Sequence, residues 1–345
     1  MENPDNQADI LVTGATGLLG AHLLQQLASR GLRVRAICRN GSSRRITDKV
    51  FAAYAKDPAA DAARVEWVTG DVTDYFSLEK AFEGIEKVFH VAGAVSFLKK
   101  DRRKLEAVNV RGTANVVDAA LQTGVKKLVY VSSVSALGRA DLDDLITEET
   151  PWKNSPLNTH YAVTKHAGER EAWRGAEEGL QVLVVNPGLI IGYGDWETGS
   201  GKIVKRIADG QSFYTDGSNG WVDVRDTARA MIELDAAGAY GEKFILVGEN
   251  IPFDRAFASI ARHIGSKAPG IKAGPALIRF AVWSEKLKAL FTGKEPLVTR
   301  ETAMTASLKS RYDNSKLGRR IAFAYTPFEE TVEEVSRRYR EDLKK

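Results

Sequence analysis

A glycine-rich segment near the N-terminus constrains the fold of this chain more than any other feature. The apolar run Ile10-Leu-Val-Thr13 ends at Gly14, and two further glycines follow at three-residue spacing, Gly17 and Gly20. Glycine adopts backbone angles that other residues avoid, and it allows close approach because it has no side chain. The pattern therefore predicts a buried strand, a sharp turn, and a helix that begins near Leu18.

Such a turn is suited to a phosphate group. Backbone amides and the positive end of the helix dipole attract anions, and the glycine spacing is typical of turns that hold a dinucleotide pyrophosphate. The residues expected to contact the dinucleotide here are Gly14, Thr16, Gly17, Leu18, Leu19 and Gly20. A glycine triplet alone also occurs in turns that bind nothing, so the rest of the chain has to support this interpretation.

The first 190 residues alternate between strand-like and helix-like patterns. Runs rich in Val, Ile and Leu occur at 9–13, 33–38, 65–69, 87–91, 127–132 and 181–186. Helical apolar spacing occurs between them, at 18–30, 103–122 and 160–179. Strands alternating with helices predict an α/β fold of the Rossmann type, with a doubly wound parallel sheet.

The pattern changes after residue 190. We expect residues 1–190 to form a dinucleotide-binding domain and residues 191–345 a smaller α/β substrate-binding lobe, with a strand near 243–247 returned to the main sheet. A helix at 275–291 has apolar residues among basic ones, a pattern that also fits a membrane-surface helix. Core or subunit packing is the commoner explanation for such a helix, and we expect it here.

Composition and charge limit the classes of binding partner that this chain is expected to have. The net charge of +4 gives no reason to expect nucleic acid or an anionic membrane, so a small molecule is the expected partner. The chain has one cysteine, Cys38, and its N-terminal residues lack an export signal, which predicts a cytoplasmic protein. Its five histidines lack the spacing of a zinc site, so no metal is expected.

Three side chains are candidates for chemistry. Tyr161 and Lys165 are four residues apart in a helical segment and therefore project from one face. A nearby ammonium favours phenolate, so we expect the pKa of Tyr161 to be lowered towards neutrality. Ser133 ends a buried strand, and the carboxyl ends of such strands face the ligand crevice, although a serine there can also simply cap a turn.

Together these segments resemble the extended short-chain dehydrogenase/reductases, which include the NAD-dependent epimerase/dehydratase family. The resemblance is closer to the branch of dihydroflavonol 4-reductases than to the sugar epimerases. The motifs that carry it are Thr13-Gly-Ala-Thr-Gly-Leu-Leu-Gly20, Gly70-Asp-Val72, His90-Val-Ala-Gly93, Asn109-Val-Arg-Gly-Thr113, Val131-Ser-Ser133, Tyr161-Ala-Val-Thr-Lys165 and Asn186-Pro-Gly188.

The resemblance implies a role for each matching position. Tyr161 would be the general acid or base, Lys165 would hold the nicotinamide ribose, and Ser133 would bind the reacting oxygen. Asn109 would support the scaffold of the site. The other cofactor contacts that it implies are Asp71 and Val72 beside the adenine, Val91, Ala92 and Gly93 after the fourth strand, and Pro187 and Gly188 near the carboxamide.

The end of the second strand determines which dinucleotide is preferred. An acidic residue there would bind the 2′-hydroxyl of NAD, but this strand is followed by Arg39 and further basic residues. A guanidinium group suits a 2′-phosphate, so NADP is favoured, with NAD as the alternative.

The substrate is less constrained by the sequence. Aromatic and apolar residues expected near the crevice suit a flat or hydrophobic molecule, although each could equally be core. They are Phe97, Trp152, Ile190, Trp196, Phe213 and Trp221, of which Phe97, Trp196 and Trp221, together with Asn186, are the predicted substrate contacts. Asn219 occupies the place where many nucleotide-sugar enzymes of the superfamily have an arginine, which weakens a nucleotide-sugar interpretation.

These observations predict an NADP(H)-dependent carbonyl reductase or alcohol dehydrogenase. One alternative is a nucleotide-sugar epimerase or dehydratase with tightly bound NAD, and another is a dinucleotide-binding sensor without catalysis. Similar proteins form homodimers through the helices at 103–122 and 160–179, but apolar spacing does not separate a subunit contact from internal packing.

Overall fold

A computed structural model describes residues 8–138, 145–292, 295–296 and 298–344. The polar N-terminal residues 1–7 lie outside these ranges. The strands are β1 (Ile10–Thr13), β2 (Val34–Cys38), β3 (Val65–Thr69), β4 (Lys87–His90), β5 (Lys127–Val131), β6 (Gln181–Pro187), β7 (Leu189–Ile191), β8 (Phe213–Tyr214), β9 (Ser218–Asp223), β10 (Lys243–Leu246), β11 (Glu249–Pro252) and β12 (Ile271–Lys272).

Helices connect these strands. They are α1 (Leu18–Ser29), α2 (Arg45–Tyr54), α3 (Pro58–Ala62), α4 (Tyr75–Phe82), α5 (Arg102–Leu105), α6 (Gly112–Thr123), α7 (His160–Glu177), α8 (Gly201–Ala208), α9 (Val224–Ala236), α10 (Phe253–Ile264), α11 (Pro275–Thr292), α12 (Arg300–Ser307), α13 (Ser315–Arg320) and α14 (Phe328–Asp342). A π-helical turn, Glu106–Arg111, separates α5 from α6 where a single helix was expected.

In the described part of the chain, seven parallel strands form the main sheet in the order β10-β6-β5-β4-β1-β2-β3. This confirms the predicted doubly wound α/β fold. The order reverses direction between β1 and β4, and the carboxyl ends of strands at such a point open a crevice for ligands. The strand expected near 243–247 is β10, which pairs with β6.

Alternate residues of the buried strands face opposite helical layers, as the pleat of a strand requires. In β5, Val129 and Val131 belong to the cluster that includes residues of α1 and α9, whereas Leu128 and Tyr130 belong to the cluster that includes residues of α4, α6 and α7. Both faces of the sheet are therefore covered, which leaves the strand ends as the place for a ligand.

The second lobe is built on a smaller sheet, with strands in the order β11-β9-β7. A third cluster of buried residues joins this sheet to α8, α10 and α14. Helix α11 differs from these helices because its large apolar side chains are exposed. Of the expected core or subunit packing, core packing is therefore wrong, and subunit packing stays a prediction. No helix of the described ranges is long and apolar enough to cross a bilayer.

Candidate functional site

In the turn between β1 and α1, backbone atoms lie close to Gly14 and Gly20, whereas space remains beside Gly17. Gly14 has a φ of 69°, and a Cβ there would lie 2.6 Å from the amide nitrogen of Ala92. A Cβ on Gly20 would overlap the carbonyl oxygen of Gly14. At the exposed Gly17, by contrast, the nearest heavy atom to an added Cβ is 3.4 Å away. The turn therefore leaves space for a group from outside the protein at Gly17.

The start of α1 fits an anion at that space. Gly17 is the N-cap and the helix has no side-chain cap, and no acidic residue occupies the first turn. Amide donors at an uncapped helix start, together with the positive end of the dipole, are the usual binding groups for a pyrophosphate. A dinucleotide bound here would have its phosphates against this turn.

A buried polar chain fixes the loop after β4 against the glycine turn. The Oγ1 atom of Thr13 lies 2.7 Å from Nδ1 of His90 and accepts a hydrogen bond from the Ala92 amide at 3.1 Å. The other ring nitrogen of His90 lies 3.2 Å from Oγ1 of Thr113. Burial lowers the pKa of His90 to about 3, so its ring is neutral at physiological pH. The predicted cofactor residues Val91, Ala92 and Gly93 thus form a loop held beside Gly14.

Asn109 links this loop to α7. Its side-chain amide exchanges two hydrogen bonds with the backbone of Ala94, and its Nδ2 also donates to Oγ1 of Thr164 at 3.2 Å. The π-helical turn places Asn109, which is itself buried, between the two elements. These contacts agree with the scaffold role that the resemblance implies for Asn109.

The three candidate catalytic side chains lie close together at the carboxyl end of β5. Ser133 follows β5 and Tyr161 lies in the first turn of α7, and the Ser133 side chain is close enough to lower the pKa of the Tyr161 phenol. Ser133 also accepts a hydrogen bond from the Ser135 amide at 3.1 Å, so it caps a turn as well. The ring of Phe97 meets that of Tyr161 edge-on, with 6.0 Å between centroids. Ser133 and Tyr161 thus present two hydroxyls at one point.

The pKa of Tyr161 is raised rather than lowered in this structure. Burial of the phenol raises it, and the Ser133 side chain opposes that effect only in part. The ammonium of Lys165 is engaged elsewhere: it donates to the carbonyl oxygen of Val131 at 2.8 Å and to the hydroxyl of Tyr130 at 3.1 Å. The expectation of an acidic phenol is therefore wrong here, because burial raises the pKa of Tyr161 more than the Ser133 side chain lowers it.

Glu169, one turn beyond Lys165 on α7, is a buried carboxylate that the motif analysis missed. It accepts hydrogen bonds from Oγ of Ser132 at 2.6 Å and from Nδ2 of Asn186 at 2.9 Å. Burial lowers the pKa of Lys165 to about 8, and the charge of Glu169 opposes that shift. The four-residue spacing from Lys165 was the signal that could have revealed it.

Asn186 belongs to the same network and is not a substrate contact in this structure. The residue is 0% exposed, and its Nδ2 also donates to the carbonyl oxygen of Ser133 at 3.1 Å. The prediction of Asn186 as a substrate contact is wrong because its side chain is buried and its amide donates to protein groups. Its amide instead orients the segment that carries Ser133.

At the ends of β2 and β3 lies a cavity of about 620 Å³ that could hold the adenosine part of a dinucleotide. Arg39 lines it and has no ion-pair partner among the described residues, whereas Arg44 stacks on Trp67 and Arg45 pairs with Asp195. Asp71 also lines the cavity, and its carboxylate accepts two hydrogen bonds from Thr73. Neighbouring Val72 is buried.

Pro187 and Gly188 lie where β6 meets the second lobe. The amide of Gly188 donates to the carbonyl oxygen of Leu246 at 3.0 Å, and a Cβ on Gly188 would overlap the carbonyl oxygen of Gly220. A glycine is therefore required at this junction for packing alone. Contact between these two residues and a carboxamide stays a prediction.

Of the aromatic residues predicted as substrate contacts, only Phe97 packs against a candidate catalytic residue among the ring contacts of the described chain. Trp221 is 1% exposed and packs on Phe253 and Phe328, so it is core and its prediction as a substrate contact is wrong. Trp196 donates to Asp342 and packs edge-on against a ring of α14. Phe97, beside Tyr161, is the one of the three predicted aromatic contacts whose observed ring partner is a candidate catalytic residue. The others lie elsewhere: Trp152 stacks on His166, Ile190 packs on the main core, and Phe213 is exposed.

The fold and this site define a class of dinucleotide-binding proteins, and comparison with known proteins identifies it. The model of the NAD dependent epimerase/dehydratase family matches residues 10–246. The chain belongs to that family, whose enzymes use NAD(P), and so to the extended short-chain dehydrogenase/reductases.

Similar proteins span nearly the whole chain. Sterol demethylase protein B of Methylococcus capsulatus is 30% identical over 323 residues, covering 92% of this chain and 93% of that protein. A putative dihydroflavonol 4-reductase of Synechocystis sp. is 30% identical over 312 residues, covering 88% and 87%. The crystal structure of gox2253 superimposes with a TM-score of 0.80 at 29% identity, covering 97% of this chain and 99% of that one.

Proposed function

We propose that this protein is an NADP(H)-dependent carbonyl reductase or alcohol dehydrogenase in which Tyr161 exchanges the proton. The observation that carries the proposal is that the hydroxyls of Ser133 and Tyr161 lie close enough at the carboxyl end of β5 for Ser133 to lower the pKa of Tyr161. A carbonyl oxygen placed between them would accept a hydrogen bond from each. Two donors at one oxygen polarise a carbonyl, which is what hydride addition requires.

Each side chain has a distinct task in this proposal. A bound nicotinamide supplies or accepts the hydride. The hydroxyl of Ser133 orients the substrate oxygen, and the hydroxyl of Tyr161 gives or takes the proton. Because burial raises the pKa of Tyr161, the phenol is neutral near pH 7 and is ready to donate. The neutral phenol is the form that donates the proton when a carbonyl is reduced.

Replacement of Tyr161 by Phe tests the proposal directly. The variant keeps the ring that packs on Phe97 but loses the proton donor, so we expect kcat to fall about 100-fold to 10,000-fold. Binding of NADPH, measured by fluorescence titration, should change little. Turnover within a few-fold of the original chain would contradict the assigned role of Tyr161.

The preference for NADP over NAD rests on Arg39. Its guanidinium lines the cavity beyond β2 without an ion-pair partner among the described residues. A charge-assisted hydrogen bond to a 2′-phosphate contributes about 1.5–3 kcal/mol, so Arg39→Gln should raise KM for NADPH about 10-fold to 100-fold. KM for NADH should stay within about twofold. Equal losses with both cofactors would show that Arg39 does not recognise the phosphate.

The substrate class proposed is a flat, apolar carbonyl compound. Phe97 offers an aromatic face beside Tyr161, and the relatives above are named for sterols and a dihydroflavonol. A 3-oxosteroid, a dihydroflavonol and a simple aromatic aldehyde form a suitable panel, with net oxidation of NADPH as the readout. Sugar interconversion without net NADPH oxidation, together with copurified NAD, would favour an epimerase or dehydratase instead.

A further inference from the structure

Helix α11 carries an exposed row of large apolar side chains. Phe280, Trp283, Leu287, Leu290 and Phe291 are between 41% and 82% exposed. At about 100° per residue, these five positions fall within a stripe about 100° wide along the helix. An apolar stripe of this length in water is unfavourable unless another surface covers it.

Basic residues accompany the stripe. Within α11 (Pro275–Thr292) the sequence has three basic residues, Arg279, Lys286 and Lys288, and one acidic residue, Glu285, a net charge of +2. Arg279 is exposed next to Phe280, and Lys288, next to Leu287, has 58% of its side chain exposed. Large apolar residues with Trp on one face and Lys or Arg beside it are typical of helices that lie in the interface of an anionic membrane.

The positive charge of this helix also argues against a second copy of the chain as the surface that covers the stripe. A symmetric dimer through α11 would bring two positively charged faces together, which is unfavourable. Anionic lipid headgroups complement the same face. The helix is also not apolar enough to span a bilayer, so it would lie along the surface rather than cross it.

We propose that α11 docks this protein on anionic membrane surfaces. The segment that follows α11 is tied to the elements around Tyr161: Glu295 pairs with Lys100, and Glu301 pairs with Arg102 and accepts a hydrogen bond from the His160 amide. Docking through α11 would therefore hold the start of α7 close to the lipid surface. The proposal stands independently of the reaction proposed for Tyr161.

Flotation of the full chain with lipid vesicles tests the proposal. Vesicles of phosphatidylcholine containing phosphatidylglycerol should bind the protein, and vesicles of phosphatidylcholine alone should bind it less. The double variant Leu290→Ser with Phe291→Ser should lower the partition coefficient at least about tenfold. Phe76→Ser is the matched control, because Phe76 is 78% exposed on α4, and it should bind like the original chain.

A second pair of variants measures the contribution of charge to vesicle binding separately from that of apolar contact. Lys288→Gln should weaken binding to the anionic vesicles about fivefold. Lys126→Gln, at another exposed lysine with 68% of its side chain accessible, should have no effect. Circular dichroism of each variant checks that the fold is retained.

Several results would overturn the proposal. Absence of binding to anionic vesicles would do so, as would equal losses in the α11 variants and in their controls. Light scattering measures the oligomeric state of the original chain and of the double variant. If the original chain is a dimer that the double variant dissociates, while vesicle binding is unchanged, then the α11 stripe is an interface between copies and the proposal is wrong.

Discussion

The sequence predicted the structure of the glycine turn after β1 well, but it predicted the places of the aromatic residues of the second lobe poorly. At the turn, the spacing of Gly14, Gly17 and Gly20 predicted a geometry, and the structure has the positive φ and the close backbone approaches that only glycine allows. In the second lobe, Trp221 was predicted to contact substrate and is core, and the large apolar residues of α11, for which core or subunit packing was predicted, are not in the core.

The difference has a physical origin. The positive φ of Gly14 and the approach of Gly20 to the Gly14 carbonyl oxygen are local steric demands, and the glycine spacing displays them directly. An aromatic side chain has no such local requirement. It lowers the free energy in a core, in a binding pocket or at an interface by the same removal of apolar area from water, so its type does not reveal its place.

The largest expected effect is on stability, and it distinguishes a buried aromatic residue of the second lobe from the one beside Tyr161. Trp221→Ala removes a buried side chain from the cluster with Phe253 and Phe328 and should lower the free energy of unfolding by about 3–5 kcal/mol. Phe97→Ala should cost less than about 1 kcal/mol and should raise KM for a carbonyl substrate more than it lowers kcat. Urea unfolding and steady-state kinetics measure both. An unchanged stability of Trp221→Ala with a raised KM would restore Trp221 as a substrate contact.

A somewhat smaller effect separates two glycines in helices. Gly20→Ala places a Cβ on the carbonyl oxygen of Gly14, and we expect a loss of about 3 kcal/mol in unfolding free energy together with weaker cofactor binding. Gly318→Ala in α13 has open space around it and should be neutral or stabilising, by less than about 1 kcal/mol. If Gly20→Ala were as neutral or stabilising as Gly318→Ala, the close approach to the Gly14 carbonyl oxygen would not be what requires a glycine at position 20.

The smallest effect concerns the pH dependence of the reaction. Burial lowers the pKa of Lys165 to about 8, and the charge of Glu169 raises it. Glu169→Gln should therefore lower that pKa further. If charged Lys165 is required, the alkaline limb of kcat/KM moves down by roughly one pH unit. Glu171→Gln, at a carboxylate that pairs with Arg174 on the same helix, should leave the profile unchanged.

An unshifted alkaline limb in Glu169→Gln would show that this carboxylate only fixes Ser132 and Asn186 in place. Thermal unfolding distinguishes that case, because a purely structural role lowers stability without moving the pH profile. Either result sharpens the contrast between residues that act through charge and residues that act through packing.

The sequence by itself determined the doubly wound sheet, the position of the crevice and the identity of Ser133, Tyr161 and Lys165 as neighbours. Period-2 and period-3.6 patterns fix strands and helices locally, and parallel topology then brings strand ends to one edge. The network of Glu169 with Ser132 and Asn186 could not be predicted with the same assurance, since its members come from three elements and meet only in the folded chain.

Only the tertiary structure decided the direction of the pKa shift of Tyr161, the burial of Trp221 and the exposure of α11. Each depends on how much water is excluded from a given side chain, and that quantity is set by every element packed around it. Local sequence specifies which conformations a segment can adopt, whereas desolvation is a property of the assembled neighbours.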